Sequence, residues 1–522
     1  MTLAATDSAA TDSAATRISV GGEFRRTAVS GYAYAVVGLL VAAVVTPLLA
    51  RGLGPVQFGI WSVIGASVSY LEVLELGFGT ATVTVVAGRE ATGDREGTRR
   101  AVATSFWVLA LPGALALGAG ALAAWALPSL LDLAPNDVTP TRLLLLLLAL
   151  DLAVSIPGDT FGGVLAGLRR IDLVVYSLLA GAVVTATAWL VVLAAGGGLV
   201  ALGVATAGVG LAGQGGRLLL ARRLVPGLSL SPRLVRRAEA SEMGRLSGWF
   251  AVSDLNRLVV QRLDIVLVGA VVGIEAAGIY AVAQKLVSLV PRCVDPVTGL
   301  LFPHAAGLQA HGDAGALRAT LLAACQLSLA VAVPLAVGLG FFATPLLGLW
   351  VGADFAGARE AVVLLSLAAV ASSMAAAVQL VLKGMREARA AAGGASADAV
   401  VNLVLSVALG LLLGAAGVAM ATLAAALVAV GVLLPAACRA TGLALRPLGV
   451  AIARAHLLPL AAAGVLALAL RRLTPTPGLL VLPEAVAVVV LHAALLVRTA
   501  LDPAQRARLL AAARAWRVRR WS

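Results

Sequence analysis

Runs of about 20 apolar residues recur along this chain from end to end, each long enough to cross a hydrocarbon core roughly 30 Å thick. Fourteen can be delimited, at 28–50, 58–86, 102–127, 143–164, 172–194, 199–220, 246–271, 277–302, 319–342, 358–382, 395–414, 417–437, 449–470 and 478–498. Backbone donors and acceptors in lipid must be satisfied within the segment, so such runs are helices; the alternation of a barrel strand is absent. The pattern predicts an all-α integral membrane protein with about 14 transmembrane helices. Composition agrees: 60% of residues are hydrophobic, 12% are charged and the mean hydropathy is +0.98. A soluble domain cannot bury that much apolar surface.

The net charge of +13 would suit nucleic acid, but its distribution is that of a membrane topology. With alternating spans and a cytoplasmic N-terminus, the inner segments collect Arg17, Arg25 and Arg26, then Arg89, Arg95, Arg99 and Arg100, then Arg169 and Arg170. The stretch Arg217–Arg245 follows with seven arginines, and seven more lie from Arg498 onward. The outer segments hold only Arg51, Arg142, Arg359, Arg471 and Arg472. This is the positive-inside asymmetry, which predicts both termini in the cytoplasm and no nucleic-acid partner. Residues 1–27, rich in Ala, Thr, Ser and Asp, read as a disordered cytoplasmic tail. Cys293, Cys325 and Cys438 have neither metal-ligand spacing nor paired extracellular positions. No glycine-rich phosphate loop is present, so the expectation is a transporter, with no enzymatic activity and no cofactor.

Two segments match at an offset of 219 residues, Leu53–Val63 and Val272–Val282. Gly54 and Gly273, Gly59 and Gly278, Ile60 and Ile279, and Val63 and Val282 are identical pairs, and Trp61 faces Tyr280. Gly198 and Gly417 fall in later short turns at the same offset, and Gly167-Leu168-Arg169-Arg170 echoes Gly384-Met385-Arg386-Glu387 with a slip of two. The repeat contains six helices, an even number, so its copies enter the membrane in the same direction. The predicted organisation is a six-helix lobe at 28–221, a basic cytoplasmic linker at 222–245 and a second lobe at 246–438. Two extra helices at 449–498 and a cytoplasmic amphipathic tail at 499–522 follow.

Charges within the apolar runs are functional candidates, because an ion at bilayer depth costs several kcal/mol unless it faces a partner or a wet cavity. The seventh run carries Asp254, Arg257, Gln261 and Asp264 on one helical face, with Arg262 beside them. The eighth carries Lys285 and Arg292, seven residues apart, with Asp295 one turn on and Pro291 and Pro296 as helix breakers. The second carries Glu72, continuing a stripe of Ser62, Gly65 and Ser69, and Glu75, just before Gly77 and Gly79. These features predict a cavity where the second, seventh and eighth runs meet. Arg257, Arg262, Lys285 and Arg292 are the substrate-binding candidates. Glu72, Glu75, Asp254, Asp264 and Asp295 are those for coupling or gating. Two readings stay open for the seventh run: cavity residues, or internal ion pairs holding helices together.

The segment Leu49-Ala50-Arg51-Gly52-Leu53-Gly54-Pro55-Val56-Gln57-Phe58-Gly59-Ile60-Trp61, followed by Leu74-Glu75-Leu76-Gly77-Phe78-Gly79-Thr80-Ala81, resembles the opening of the polysaccharide-biosynthesis flippases. These belong to the multidrug/oligosaccharidyl-lipid/polysaccharide exporter superfamily. Leu263-Asp264-Ile265 and Gly278-Ile279-Tyr280-Ala281-Val282-Ala283 are similar to the second lobe of the same family. The resemblance implies a flippase of the bacterial plasma membrane. It would carry an undecaprenyl-pyrophosphate-linked oligosaccharide between leaflets by alternating access, for polysaccharide or lipopolysaccharide assembly beside a polymerase and glycosyltransferases. A pyrophosphate suits the cationic candidates, since arginine and lysine recognise it well. Glu72 and Glu75 have no counterpart in the family pattern; coupling to protons or sodium, or pairing with Arg257 and Lys285, are the expectations. The rivals are a multidrug or organic-cation antiporter, disfavoured by an aromatic content of 4%, and a lipid-linked peptidoglycan-precursor flippase. A membrane glycosyltransferase or O-antigen ligase would need a large external loop, and the external loops are short.

Overall fold

The computed structural model describes residues 38, 40–75, 78–244, 263–473 and 480–500, and every regular element among them is helical. The order begins α1 (Leu40–Leu71), a 3-10 turn (Glu72–Glu75), α2 (Phe78–Ala91), α3 (Arg95–Leu130), α4 (Pro135–Gly167), α5 (Ile171–Ala194) and α6 (Leu199–Leu224). It continues with α7 (263–271), α8 (Ile274–Val287), α9 (Leu289–Thr298), α10 (Leu301–His311), α11 (Ala314–Phe341) and α12 (Ala343–Trp350). The last are α13 (Arg359–Gly384), α14 (Ala388–Thr441), α15 (Leu445–Leu473) and α16 (Val481–Ala500). Ten runs among the described residues are long and apolar enough to cross a membrane, as a multi-pass protein requires. The sequence pattern has fourteen. Two expected pairs appear as single runs, α1 and α14; the seventh lies largely outside the described residues; and the fourteenth is a shorter apolar helix, Val481–Leu496.

Backbone geometry carries the internal repeat further than residue identities do. Twelve described residues have left-handed φ angles: Gly54, Gly93, Asp132, Arg169, Gly196 and Gly227, then Gly273, Gly312, Gly352, Arg386, Gly414 and Gly442. Paired in order, their numbers differ by 219, 219, 220, 217, 218 and 215. A left-handed residue ends a right-handed helix sharply, and only glycine adopts it without a Cβ penalty. Each half therefore reverses at the same six places. Side chains repeat with them: Asp94 accepts from Gly97 N at 2.8 Å to cap α3, and Asp313 accepts from Ala316 N at 2.9 Å to cap α11.

The chain separates into two compact units, Met1–Leu53 with Ile64–Leu258, and Gly54–Val63 with Val259–Ser522. In the first, α3 and α4 approach through Gly113, where a Cβ would lie 2.6 Å from Ala153 O, and Gly120, which abuts Ala149. Small residues let backbones close to this range, the main source of helix association where no hydrophobic drive exists. Buried hydroxyls link α2, α3 and α4: Thr82 to Ser105 at 2.6 Å and Ser105 to Thr160 at 3.1 Å. The basic stretch after α6 is pinned to α3. Arg99 donates to Pro226 O, Trp107 Nε1 donates to Leu230 O at 2.8 Å, and buried Glu239 meets Arg100 at 3.7 Å and Thr104 at 3.3 Å.

In the second unit, α14 is a hairpin rather than one rod. Gly414 (φ 64°, ψ −145°) reverses the chain, so Asn402 meets Thr422 and Gly394 packs on Leu433. Gly59 and Gly278, the matched glycines of the repeat, touch one another; the same contact sets Gly59 against Ile274 O and Gly278 against Pro55 O. Pro459 in α15 lacks an N–H, which frees the carbonyl of Ala455 four residues earlier; Thr499 of α16 donates to it at 2.7 Å.

Candidate functional site

α4 carries Asp151, Ser155 and Asp159 at four-residue intervals, so they share one face. With Glu72 and Glu75 of the 3-10 turn, and Val68, Leu148, Leu152 and Ile156, they line a cavity of about 270 Å3. Arg217 Nη1 of α6 donates to Asp159 Oδ1 at 2.9 Å, and Gln214 Nε2 donates to Ser155 O at 3.4 Å. The two helices interlock through glycine notches. Asp151 rests on Gly210, and Gln214 fills the space at Gly158, where a Cβ would lie 2.6 Å from its Cδ. Asp151 Oδ1 has no hydrogen-bond partner among the described residues. Four carboxylates around one small cavity attract cations and protons.

Glu72 and Glu75 line this cavity with α4, whereas the expected cavity joined the second run to the seventh and eighth. The expected α-helix over 58–86 does not run through the two glutamates: α geometry stops at Leu71 and tightens to a 3-10 turn. Gly77 and Gly79 follow the two carboxylates directly, and glycine is a poor helix former. Asp151, Asp159 and Arg217 were not among the candidates. Two aspartates eight residues apart in the run 143–164 are the signal that marks them.

A second polar cluster lies in the other unit. Asp264 is 3% exposed; its Oδ2 accepts from Tyr280 Oη of α8 at 3.1 Å and from Thr422 Oγ1 of α14 at 2.8 Å. Asn402 Nδ2 of α14 donates to Thr422 Oγ1 at 3.3 Å. Asp264 Oδ1 and Asn402 Oδ1 are buried without a hydrogen-bond partner among the described residues. Asp398, one turn before Asn402, is close enough for its charge to act on Asp264. Both orphaned atoms are hard oxygen acceptors. With the Val418 carbonyl, 3.0 Å from Thr422 Oγ1, they make a set of oxygens that suits a cation. Asp264 was a sequence candidate; Tyr280, Asn402 and Thr422 were not, because a lone Thr or Asn in an apolar run is a weak signal.

Lys285 sits near the end of α8, and Arg292 and Asp295 sit on α9; all three are exposed. The eighth run, expected as one helix over 277–302, is one span, Ile274–His311, in which Ser288, Gly299 and Leu300 keep right-handed helical dihedrals between α8, α9 and α10. Pro291 and Pro296 each remove a backbone donor from this stretch. Ser288 keeps helical dihedrals (φ −58°, ψ −13°) and Arg292 N donates to Ser288 O at 3.4 Å, so Lys285 and Arg292 stay on one continuous apolar run, Ile274–His311. Asp254, Arg257, Gln261 and Arg262 lie outside the described residues, and with them much of the expected cavity.

A larger cavity belongs to the second unit and has no counterpart among the sequence expectations. It measures about 970 Å3, near the upper end for ligand pockets. Its walls come from α11, α13, α14 and α15 and include Leu329, Met374, Val430 and Leu460. Arg359 and Arg471 are the charged residues in its lining.

The profile of the family described as "Polysaccharide biosynthesis protein" matches residues 48–360, more than half of the chain. No curated protein matches the sequence. Among solved structures, a lipid II flippase MurJ in an inward closed conformation superposes with a TM-score of 0.68 at 14% identity, covering 90% of this chain and 98% of that one. An inward-facing multidrug resistance MATE family transporter of the MOP superfamily gives 0.63 at 15% identity, covering 77% and 95%. An outward-facing MATE family transporter gives 0.53 at 16%, covering 80% and 95%. At these identities the likeness is one of fold.

Proposed function

Because the chain belongs to the polysaccharide biosynthesis protein family, we propose that it is a flippase for an undecaprenyl-pyrophosphate-linked oligosaccharide in the bacterial plasma membrane. The observation that carries this reading is the 970 Å3 apolar cavity of the second unit. Leu367, Leu427 and Leu468 in its lining are 51%, 56% and 48% exposed, so it opens toward the membrane. A chamber of that size and polarity suits a long hydrocarbon chain better than a small organic cation, which needs acidic or aromatic walls.

Lys285 and Arg292, with Arg257 and Arg262, are the proposed pyrophosphate-binding residues. Both termini are proposed to be cytoplasmic. Coupling is proposed to run on sodium at the Asp264 cluster, where two buried oxygens lack donors and further oxygens stand nearby. Glu72, Glu75, Asp151 and Asp159 then gate the other unit by gaining or losing protons, with Asp254 and Asp295 in support.

The test is reconstitution of the purified chain into vesicles carrying a lipid-linked oligosaccharide, read by protection of the sugar from an external glycosidase. Lys285→Ala and Arg292→Ala should each abolish translocation while the protein stays folded. Asp264→Asn should remove the dependence on a sodium gradient. Translocation by both alanine variants at the parent rate would refute the assignment. A lipid-linked peptidoglycan precursor is the second reading, favoured by the 90% coverage in the fold match to the lipid II flippase. Rescue of cells depleted of their own lipid II flippase would select it.

A further inference from the structure

The apolar cavity of the second unit has one polar end. Gly340 and Phe341 close α11, Thr344 opens α12, Arg359 opens α13 and Arg471 lies in the last turn of α15. These helix ends gather at one mouth, while Leu329, Met374 and Leu460 line the depth from mid-helix positions. Arg359 is exposed and Arg471 half-buried, and neither makes an ion pair among the described residues. The lining contains no Asp or Glu. Two guanidiniums at the rim of an apolar chamber, without a carboxylate to neutralise them, form a site for an amphipathic anion. They are also two of the five arginines on the outer segments if both termini are cytoplasmic, and with that proposed orientation this mouth lies at the outer leaflet.

We propose that Arg359 and Arg471 hold the phosphate of a polyprenyl-phosphate lipid whose hydrocarbon chain occupies the cavity, making the mouth an outer-leaflet station for the translocated substrate. The proposal rests on the flippase reading for the identity of the lipid. It also assigns a task to α15, one of two helices outside the six-helix repeat: that helix supplies Leu460, Leu468 and Arg471 to the site. A guanidinium donates two parallel N–H bonds to phosphate oxygens, and partial exclusion of water at the mouth strengthens them. Ordinary phospholipid headgroups reach the same leaflet. On the flippase reading a polyprenyl chain is favoured over a pair of acyl chains, so the commitment is to the former.

The test uses the purified full-length chain and three probes: a polyprenyl phosphate, the corresponding polyprenol and phosphatidylglycerol. Binding is read by native mass spectrometry. The polyprenyl phosphate should bind tightest, and Arg359→Gln with Arg471→Gln should weaken it about tenfold or more. Arg359→Lys with Arg471→Lys should retain part of the affinity, and polyprenol binding should not respond to either pair. Unchanged polyprenyl phosphate affinity in the glutamine pair would overturn the proposal, as would phosphatidylglycerol binding equally well. Both arginines stand at the accessible rim, so a folding defect is not expected; a melting curve matching the parent confirms that. Translocation is scored separately. Arginine-dependent binding without translocation sinks the flippase reading and leaves the site, and translocation without such binding does the reverse.

Discussion

Gly278→Ala tests the contact between the two matched glycines, Gly59 and Gly278, within the second unit. A Cβ at this position would lie 2.9 Å from Gly59 N and 3.1 Å from Gly59 Cα, and closer still to Pro55 O. Carbon atoms rest about 3.5–4.0 Å apart, so the facing segment must retreat by roughly half an ångström or more. Its atoms are backbone, and no rotamer change can relieve the clash. Overpacking of this kind costs about 1–3 kcal/mol, occasionally more, and replacing a helical glycine by alanine returns about 1 kcal/mol. The net expectation is a loss of about 2 kcal/mol, with the upper end of the overpacking range apt because only backbone must move. Gly65→Ala on α1 is the control, since a Cβ there meets nothing within 4 Å. It should gain about 0.5–1 kcal/mol. Thermal unfolding of the purified protein in detergent, followed by tryptophan fluorescence, reads both. The reasoning fails if Gly278→Ala melts at or above the parent temperature, or if Gly65→Ala falls as far.

Asp94→Ala and Asp313→Ala should each cost about 1 kcal/mol through the lost cap, Asp94→Ala slightly more because its 3.2 Å ion pair with Arg89 goes too; an unchanged melting temperature in either would argue against the cap. His456 of α15 and His492 of α16 are buried, their ring centroids 6.3 Å apart, and among the described residues their ring nitrogens find only poorly aligned contacts, to the backbone of Gln326 and of Pro459. His456→Leu with His492→Leu together should therefore hold or raise the melting temperature, since each poorly satisfied polar group costs about 1–3 kcal/mol; a fall of several degrees would show those contacts at work. Thr499→Val should lower stability by about 1 kcal/mol through loss of the bond to Ala455 O, and Pro459→Ala should restore most of it by returning an internal donor to that carbonyl. If Pro459→Ala leaves the Thr499→Val deficit intact, the freed carbonyl is not the cause.

Residue order alone determined the class of this protein. Apolar runs of bilayer length leave the helix as their structure, and arginine placement sets an expected orientation, because both follow from each segment meeting lipid or water on its own. The repeat was also legible, since Gly54 and Gly273 must be glycine wherever a left-handed turn is needed, and such residues stand out in a sequence. Three of its twelve left-handed residues were hidden: Asp132, Arg169 and Arg386 take the same conformation with side chains that do not announce it. Glu72, Glu75 and Asp264 were visible because a carboxylate in an apolar run is costly whatever surrounds it. What surrounds them was decided by tertiary structure. Thr422 reaches Asp264 from 158 residues away, and Asp159 reaches Arg217 from 58. The hydrogen bonds between them depend on which helix faces pack together, and apolar stripes in a membrane helix record that weakly because lipid is as apolar as the neighbouring helix. The 970 Å3 cavity is the extreme case: its walls are common Leu, Val and Ala, and only the packing of four helices distinguishes them from residues that face lipid.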